Sequence, residues 1–86
     1  FIDCAAGNNG GTIGFPANQP EVMAVGSTNR FDQRSNFSSF GPSLEVMAPG
    51  ESVLMLSLNN GTTTSDGTSF SAPLAAATAA LVFSAN

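Results

Sequence analysis

Ser69 and Asn8 are the two residues whose side chains and settings could support covalent chemistry. Ser69 follows Gly67-Thr68 and opens an apolar, alanine-rich run. If that run is a helix, its first N–H groups and the positive end of its dipole favour negative charge developing beside the serine, as attack on a carbonyl requires. Asn8 lies within Gly7-Asn8-Asn9-Gly10-Gly11, after a short apolar stretch. Its amide could donate a hydrogen bond to an oxyanion. Each residue also has a purely local reading. Serine is among the best helix-capping residues, and asparagine suits the backbone of a turn, so neither residue alone indicates an enzyme.

The elements that would carry them follow from the apolar runs. Phe1-Ile2-Asp3-Cys4-Ala5-Ala6 reads as a strand that ends in the glycine- and asparagine-rich turn. Val22-Met23-Ala24-Val25-Gly26 is apolar without alternation, the pattern of a strand covered on both faces in a parallel sheet. Leu44-Glu45-Val46-Met47-Ala48 predicts another strand, stopped by Pro49-Gly50. Residues 52–58 alternate partly and end at Asn59-Asn60-Gly61, a hairpin-type turn. The polar stretch 27–43 predicts surface loop with one extended piece at 36–40. Pro73 is acceptable only in the first turn of a helix, so the last helix should start near Thr68 or Ser69. That helix has no polar face, so it should be buried in a larger body or cross a membrane. At roughly a dozen apolar residues it falls short of the about 20 that a span needs, which favours burial.

Composition narrows the function. Two basic side chains, Arg30 and Arg34, stand against six carboxylates, for a net charge of −4 over 86 residues. Two arginines cannot neutralise a phosphate backbone, which argues against nucleic-acid binding. With no His and a single Cys, there is no zinc ligand set and no disulfide. Cys4, in an apolar strand, is expected to be inert. Charged residues make up 9% of the chain, against about 25% in ordinary soluble domains. In their place stand 11 Ser, 7 Thr, 8 Asn and 9 Gly. Such a composition suits either a large neutral surface of a secreted protein or a chain buried against something else. A chain of this length forms at most one small domain, with a core that is marginal without staples.

Taken with their flanks, the two candidate residues resemble a known family. Gly67-Thr68-Ser69-Phe70-Ser71-Ala72-Pro73 before an alanine-rich helix resembles the nucleophile motif of the subtilisin-like serine endopeptidases, the subtilases. Ala5-Ala6-Gly7-Asn8 is similar to their oxyanion segment, and Gly14-Phe15-Pro16-Ala17 to their specificity-pocket loop. Val25-Gly26, Phe37-Ser38-Ser39-Phe40-Gly41 and Val46-Met47-Ala48-Pro49-Gly50 resemble the intervening framework, in the family's order. The resemblance covers essentially the whole chain. It implies a three-layer α/β fold with a mainly parallel sheet, of which residues 1–86 form the C-terminal portion. It implies Ser69 as nucleophile, with the Asn8 amide and the Ser69 N–H as oxyanion hole, in acyl transfer through a tetrahedral intermediate and an acyl-enzyme. Ala5, Ala6 and Gly7 would line one side of the primary substrate pocket and Gly14 its base, leaving room for a large apolar side chain. Gly14 reads equally well as a turn glycine.

The departures from the family are informative. Subtilases set Asp and His before Ser in the chain, and this chain has no His, while neither Asp3 nor Asp32 sits in a motif resembling the triad aspartate. A serine without its base is a poor nucleophile. The expectation is therefore a secreted serine endopeptidase acting on peptides or proteins as the full-length parent, with the 86-residue chain inactive by itself. Its partner would be the missing N-terminal portion that carries the triad Asp and His. The rival is a non-catalytic piece that folds by self-association, and a third reading, an independent small enzyme, would need Asp66 as base. Phe70 stands where many members have Met, and Leu74-Ala75-Ala76-Ala77 where they often read His-Val-Ala-Gly. No cofactor, metal, nucleic acid or membrane is expected for the chain. The resemblance also implies that calcium is possible in the parent, near carbonyls matching residues 17–22 and with Glu45 as the matching carboxylate, although one carboxylate makes a weak site. Asn36-Phe37-Ser38 and Asn60-Gly61-Thr62 match the glycosylation sequon.

Overall fold

The computed structural model describes residues 1–85. Three parallel strands, β1 (Asp3–Ala5), β2 (Met23–Thr28) and β3 (Leu44–Pro49), form a sheet in the order β1-β2-β3. Two further strands, β4 (Val53–Leu56) and β5 (Thr62–Ser65), make an antiparallel hairpin, and α1 (Thr68–Ala85) follows it. The three apolar runs thus become the parallel sheet, and the Asn59-Asn60-Gly61 turn closes the hairpin with both asparagines at φ of 61°. β5 is the strand that the sequence does not announce. Thr62-Thr63-Thr64-Ser65 has no apolar alternation because its side chains are largely exposed, but β-branched threonine suits a pleated surface. The extended piece expected at 36–40 is instead a turn with one isolated bridge, Thr12 to Phe40.

Successive residues of a strand face opposite sides, and the sheet is covered accordingly. Cys4, Ala6, Ala24 and Leu44 meet Ile13 and Ala17 of the long β1–β2 loop in a small apolar cluster. The opposite face receives α1, which packs against all three parallel strands. A bulge between Ala24 and Val25 shifts the register so that Leu44 pairs with Ala24 and Val46 with Val25, passing over Glu45. The shift leaves the Glu45 side chain exposed.

Beyond the apolar cluster the interior holds Val25 and Ala72 and is otherwise mostly polar. Ser27, Ser35, Ser38, Ser39, Thr68 and Ser71 are all buried, and buried hydroxyls of this kind require partners. Ser27 and Ser35 join through their hydroxyls at 2.7 Å, and Ser38 Oγ accepts the Ser27 N–H at 2.9 Å. Arg34 donates to the carbonyls of Ser35 at 3.1 Å and Ser38 at 2.7 Å, and its guanidinium lies 4.5 Å from the centre of the Phe40 ring. One of the two arginines is therefore committed to holding a loop.

Two features depart from the burial that the sequence implies. α1 runs for 18 residues, which by length and composition is enough to cross a membrane. It exceeds the expected dozen because Thr68, Ser69, Ser71, Thr78 and Ser84 lengthen the helix without adding charge. The helix is also covered on one side only: Leu81 is 72% and Phe83 64% exposed. Between α1 and β3 runs an apolar groove of about 860 Å³, lined by Phe1, Met47, Leu74 and Phe83 among others.

The tightest backbone approach lies where the hairpin leaves and rejoins the sheet. Gly67 N–H donates to the Gly50 carbonyl at 2.7 Å, and Gly50 N–H to the Thr28 carbonyl at 3.1 Å. A methyl group at Gly50 would collide with Ser27 Oγ and Ser71 Oγ and come within 2.8 Å of the Gly67 carbonyl. Gly50→Ala gains up to about 1 kcal/mol from a stiffer unfolded chain and loses about 1–3 kcal/mol to overpacking. The overpacking term wins, and a lowered urea midpoint with unchanged m-value is the expected result.

Candidate active site

The turn after β1 is built around Gly7, whose φ of 116° disfavours any side chain. A Cβ there would also stand 2.8 Å from Ser39 Oγ. The turn is pinned to the 35–40 loop by four hydrogen bonds. Ser39 N–H donates to the Gly7 carbonyl at 2.9 Å, Gly10 N–H to Phe37 at 2.8 Å and Phe40 N–H to Gly11 at 2.9 Å. The fourth runs from Ser39 Oγ to Asn9 Oδ1 at 2.6 Å. Asn8 is thereby projected from the carboxyl end of β1.

Its carbonyl oxygen turns to the start of α1. Asn8 Oδ1 accepts the Thr68 N–H at 2.9 Å and the Thr68 hydroxyl at 2.8 Å, and Thr68 Oγ1 in turn accepts the Gly7 N–H at 3.2 Å. The first N–H groups of a helix have no intrahelical acceptor, and here Asn8 supplies one from sixty residues away. With Oδ1 so engaged, Nδ2 has no acceptor among the described residues. It lies on the helix-start side of the turn, 3.7 Å from where a Cβ on Gly67 would stand.

Ser69 is exposed in the first turn of α1. The helix begins at Thr68, one residue earlier, so the N-terminal N–H is capped by Asn8 rather than by the Ser69 hydroxyl. Phe70 N–H donates to Gly67 at 3.1 Å, which leaves the Ser69 N–H among the helix's free donors. The structure therefore brings together an exposed hydroxyl, its own free N–H and a free amide of Asn8 at the positive end of one helix. This arrangement can offer donors to negative charge forming beside Ser69.

The remaining candidates are placed as follows. Ala5 is half-buried on β1, and the Ala6 side chain is only 3% exposed, in the apolar cluster. Gly14 is exposed, with open space where a side chain would be, beside a Phe15 ring that is 81% exposed. Asp66 does not serve Ser69, since its Oδ1 accepts the Ser52 N–H at 2.7 Å and closes the base of the hairpin. Glu45 does lie against the 18–20 loop, in a pocket of about 390 Å³. There Gln19 Nε2 occupies Asn18 Oδ1 at 2.9 Å. No group of three His, Cys, Asp or Glu side chains that could hold a metal ion occurs among the described residues.

The sequence presents Thr68 only as the residue before Ser69, yet it is fully buried and bonded to both Gly7 and Asn8. Ser39 was likewise only framework. Their signal in the sequence is weak, because a hydroxyl that positions another residue across sixty positions looks like any surface Ser or Thr. Thr68→Val removes one donor to Asn8 and the acceptor of the Gly7 N–H. It is expected to cost about 1–3 kcal/mol and to shift the Asn8 side-chain amide resonances in a nitrogen-15 NMR spectrum, with Thr68→Ser restoring them.

Comparison with known proteins agrees with this geometry. Residues 1–86 match the profile of the subtilase family, a peptidase family. Subtilisin DY of Bacillus licheniformis is 46% identical over 96% of this chain and 32% of its own length. The cell wall-associated protease of Bacillus subtilis is 42% identical over all of this chain and 10% of its own. The solved prenylagaramide maturation protease PagA superposes with a TM-score of 0.91 at 34% identity, covering 98% of this chain and 32% of that one. A cold-adapted subtilisin-like serine proteinase gives 0.90 at 37% identity, over 95% and 31%. The chain thus spans a third or less of these relatives. With its nucleophile-type helix start, its asparagine turn and a parallel sheet shared with serine proteases of known structure, this α/β chain belongs to the subtilase family.

Proposed function

We propose that residues 1–86 are the C-terminal portion of the catalytic domain of a secreted serine endopeptidase. In that reading Ser69 Oγ attacks a peptide carbonyl, the tetrahedral oxyanion accepts hydrogen bonds from Asn8 Nδ2 and the Ser69 N–H, and water releases the acyl-enzyme. The observation that carries it is the double hydrogen bond from Thr68 to Asn8 Oδ1, which aims the amide nitrogen away from the protein's own acceptors. Preorganised donors of this kind need no rearrangement when charge develops. Ala5, Ala6 and Gly7 flank the primary pocket and Gly14 forms its base. Ala6 contributes through its backbone, because its side chain is in the core. No cofactor, nucleic acid or membrane enters this reading.

The partner is the absent N-terminal portion carrying the triad Asp and His. The chain has no His, and its relatives are at least three times as long. The α1–β3 groove has no charged residue in its lining, which suits an apolar polypeptide surface. Asp3 Oδ2, on the helix-facing side of β1, is buried with no partner among the described residues. A covering segment that brings a hydrogen-bond donor would satisfy it. The exposed face of α1 also favours a second reading, a non-catalytic chain that folds by self-association.

The test mixes the chain with a fluorophosphonate probe and a chromogenic peptide, alone and with the N-terminal part of the subtilisin DY catalytic domain. Labelling and turnover that need both pieces, and that Ser69→Ala abolishes, are expected. Asn8→Leu should lower turnover about 10²- to 10³-fold, a magnitude known for this donor from subtilisin itself. Ser69-dependent turnover by the chain alone would contradict its proposed incompetence, and no labelling of the mixture would contradict the endopeptidase reading. Light scattering decides the second reading, since a folded, strictly monomeric chain excludes it.

A further inference from the structure

The chain contains two Asn-Gly pairs, Asn9-Gly10 and Asn60-Gly61, and the fold treats them in opposite ways. Glycine after asparagine lets the backbone nitrogen approach the side-chain carboxamide without a Cβ in the way. At Asn9 that approach is blocked. Its Oδ1 accepts from the Gly11 N–H at 2.8 Å and from Ser39 Oγ at 2.6 Å, and the Gly10 N–H donates to the Phe37 carbonyl at 2.8 Å. The attacking nitrogen must first give up its bond to Phe37, and the two bonds to Oδ1 hold the carboxamide against turning toward it.

Asn60 has none of these restraints. It stands exposed at the tip of the β4–β5 hairpin, its side chain makes no hydrogen bond among the described residues, and the Gly61 N–H makes one long bond to Leu58 at 3.3 Å. We propose that Asn60 is a site of spontaneous modification, a backbone-assisted deamidation to aspartate and isoaspartate, from which the fold protects Asn9. The deprotonated Gly61 nitrogen attacks Asn60 Cγ. The N–Cγ bond forms, the Cγ–Nδ2 bond breaks and ammonia leaves with the proton, giving a five-membered succinimide. Water then adds to one of its two carbonyls and reopens the ring. The balance is one water consumed and one ammonia released, without oxidation or reduction.

The product changes both charge and backbone. The carboxylate adds a negative charge to a chain already at −4, and it removes the acceptor amide of the Asn60-Gly61-Thr62 sequon. The isoaspartyl form also adds a methylene to the main chain inside the turn, where Asn59 and Asn60 both hold φ of 61°. The hairpin it loosens runs directly into Asp66, Gly67 and the start of α1.

The experiment incubates the 86-residue chain in mildly alkaline buffer at physiological temperature, with and without urea. Peptide mapping by mass spectrometry follows each site, and carboxyl methylation by an S-adenosylmethionine-dependent isoaspartate methyltransferase identifies the rearranged product. In the folded chain Asn60 should convert at least about tenfold faster than Asn9, and in urea the two rates should converge. Gly61→Ala should slow Asn60 at least about tenfold, since the new Cβ hinders the approach. The substitution fits the fold, because that Cβ would meet the movable Ser57 hydroxyl at 3.0 Å. Equal rates at the two sites in buffer, or an Asn60 that stays intact while the urea-treated chain converts, would overturn the proposal.

Discussion

The hydrogen bonds between Asn8 and Thr68 are the constraint on which the rest of the site depends. They join the end of the first strand to the start of the last helix, sixty residues apart. Each partner answers a need of the other. The helix start has N–H groups without acceptors, and the asparagine must spend its carbonyl so that its amide is left over. A net gain of only about 1 kcal/mol per hydrogen bond makes this a modest contribution to stability. Its larger effect is on direction, because it holds Oδ1 against Thr68 and leaves Nδ2 beside Gly67 at the helix start.

The surrounding structure is arranged to keep those two ends in place. Hydroxyls fill the space between the turn and the sheet, and glycines stand where backbones must come close. Ser39 supports the turn through Gly7 and Asn9, while Gly50 lets the hairpin base meet Gly67. A polar interior of this kind has little tolerance for a missing partner, since each buried hydroxyl left unsatisfied costs about 1–3 kcal/mol. It makes the scaffold specific rather than strongly stable, and the small apolar cluster around Ala24 adds little to offset that.

The low charge density and the uncovered apolar surface meet in one element, α1. α1 carries no charged side chain, and together with β3 it borders an apolar groove of about 860 Å³. That groove runs along the middle and end of the helix, away from Ser69 at its start. The groove is lined almost entirely by apolar side chains, whereas the free N–H donors gather at the helix terminus.

The sequence by itself determined the parallel strands, the helix and its start near Thr68, and the pairing of Ser69 with Asn8 as the residues of interest. The elements were legible because apolar runs, glycine turns and the proline after the serine act locally, within a few residues. Ser69 and Asn8 were joined instead by the resemblance of their flanks to the subtilase motifs. The absence of histidine was equally legible, since it needs no structure. Only the tertiary structure decided that Asn8 rather than Ser69 caps the helix, that Thr68 and Ser39 position the turn, that Asp66 belongs to the hairpin and that Ala6 belongs to the core. It also decided that β5 is a strand despite its polar sequence and that the helix is covered on one side only. Each of these depends on contacts between residues far apart in the chain, which a pattern of neighbours does not encode.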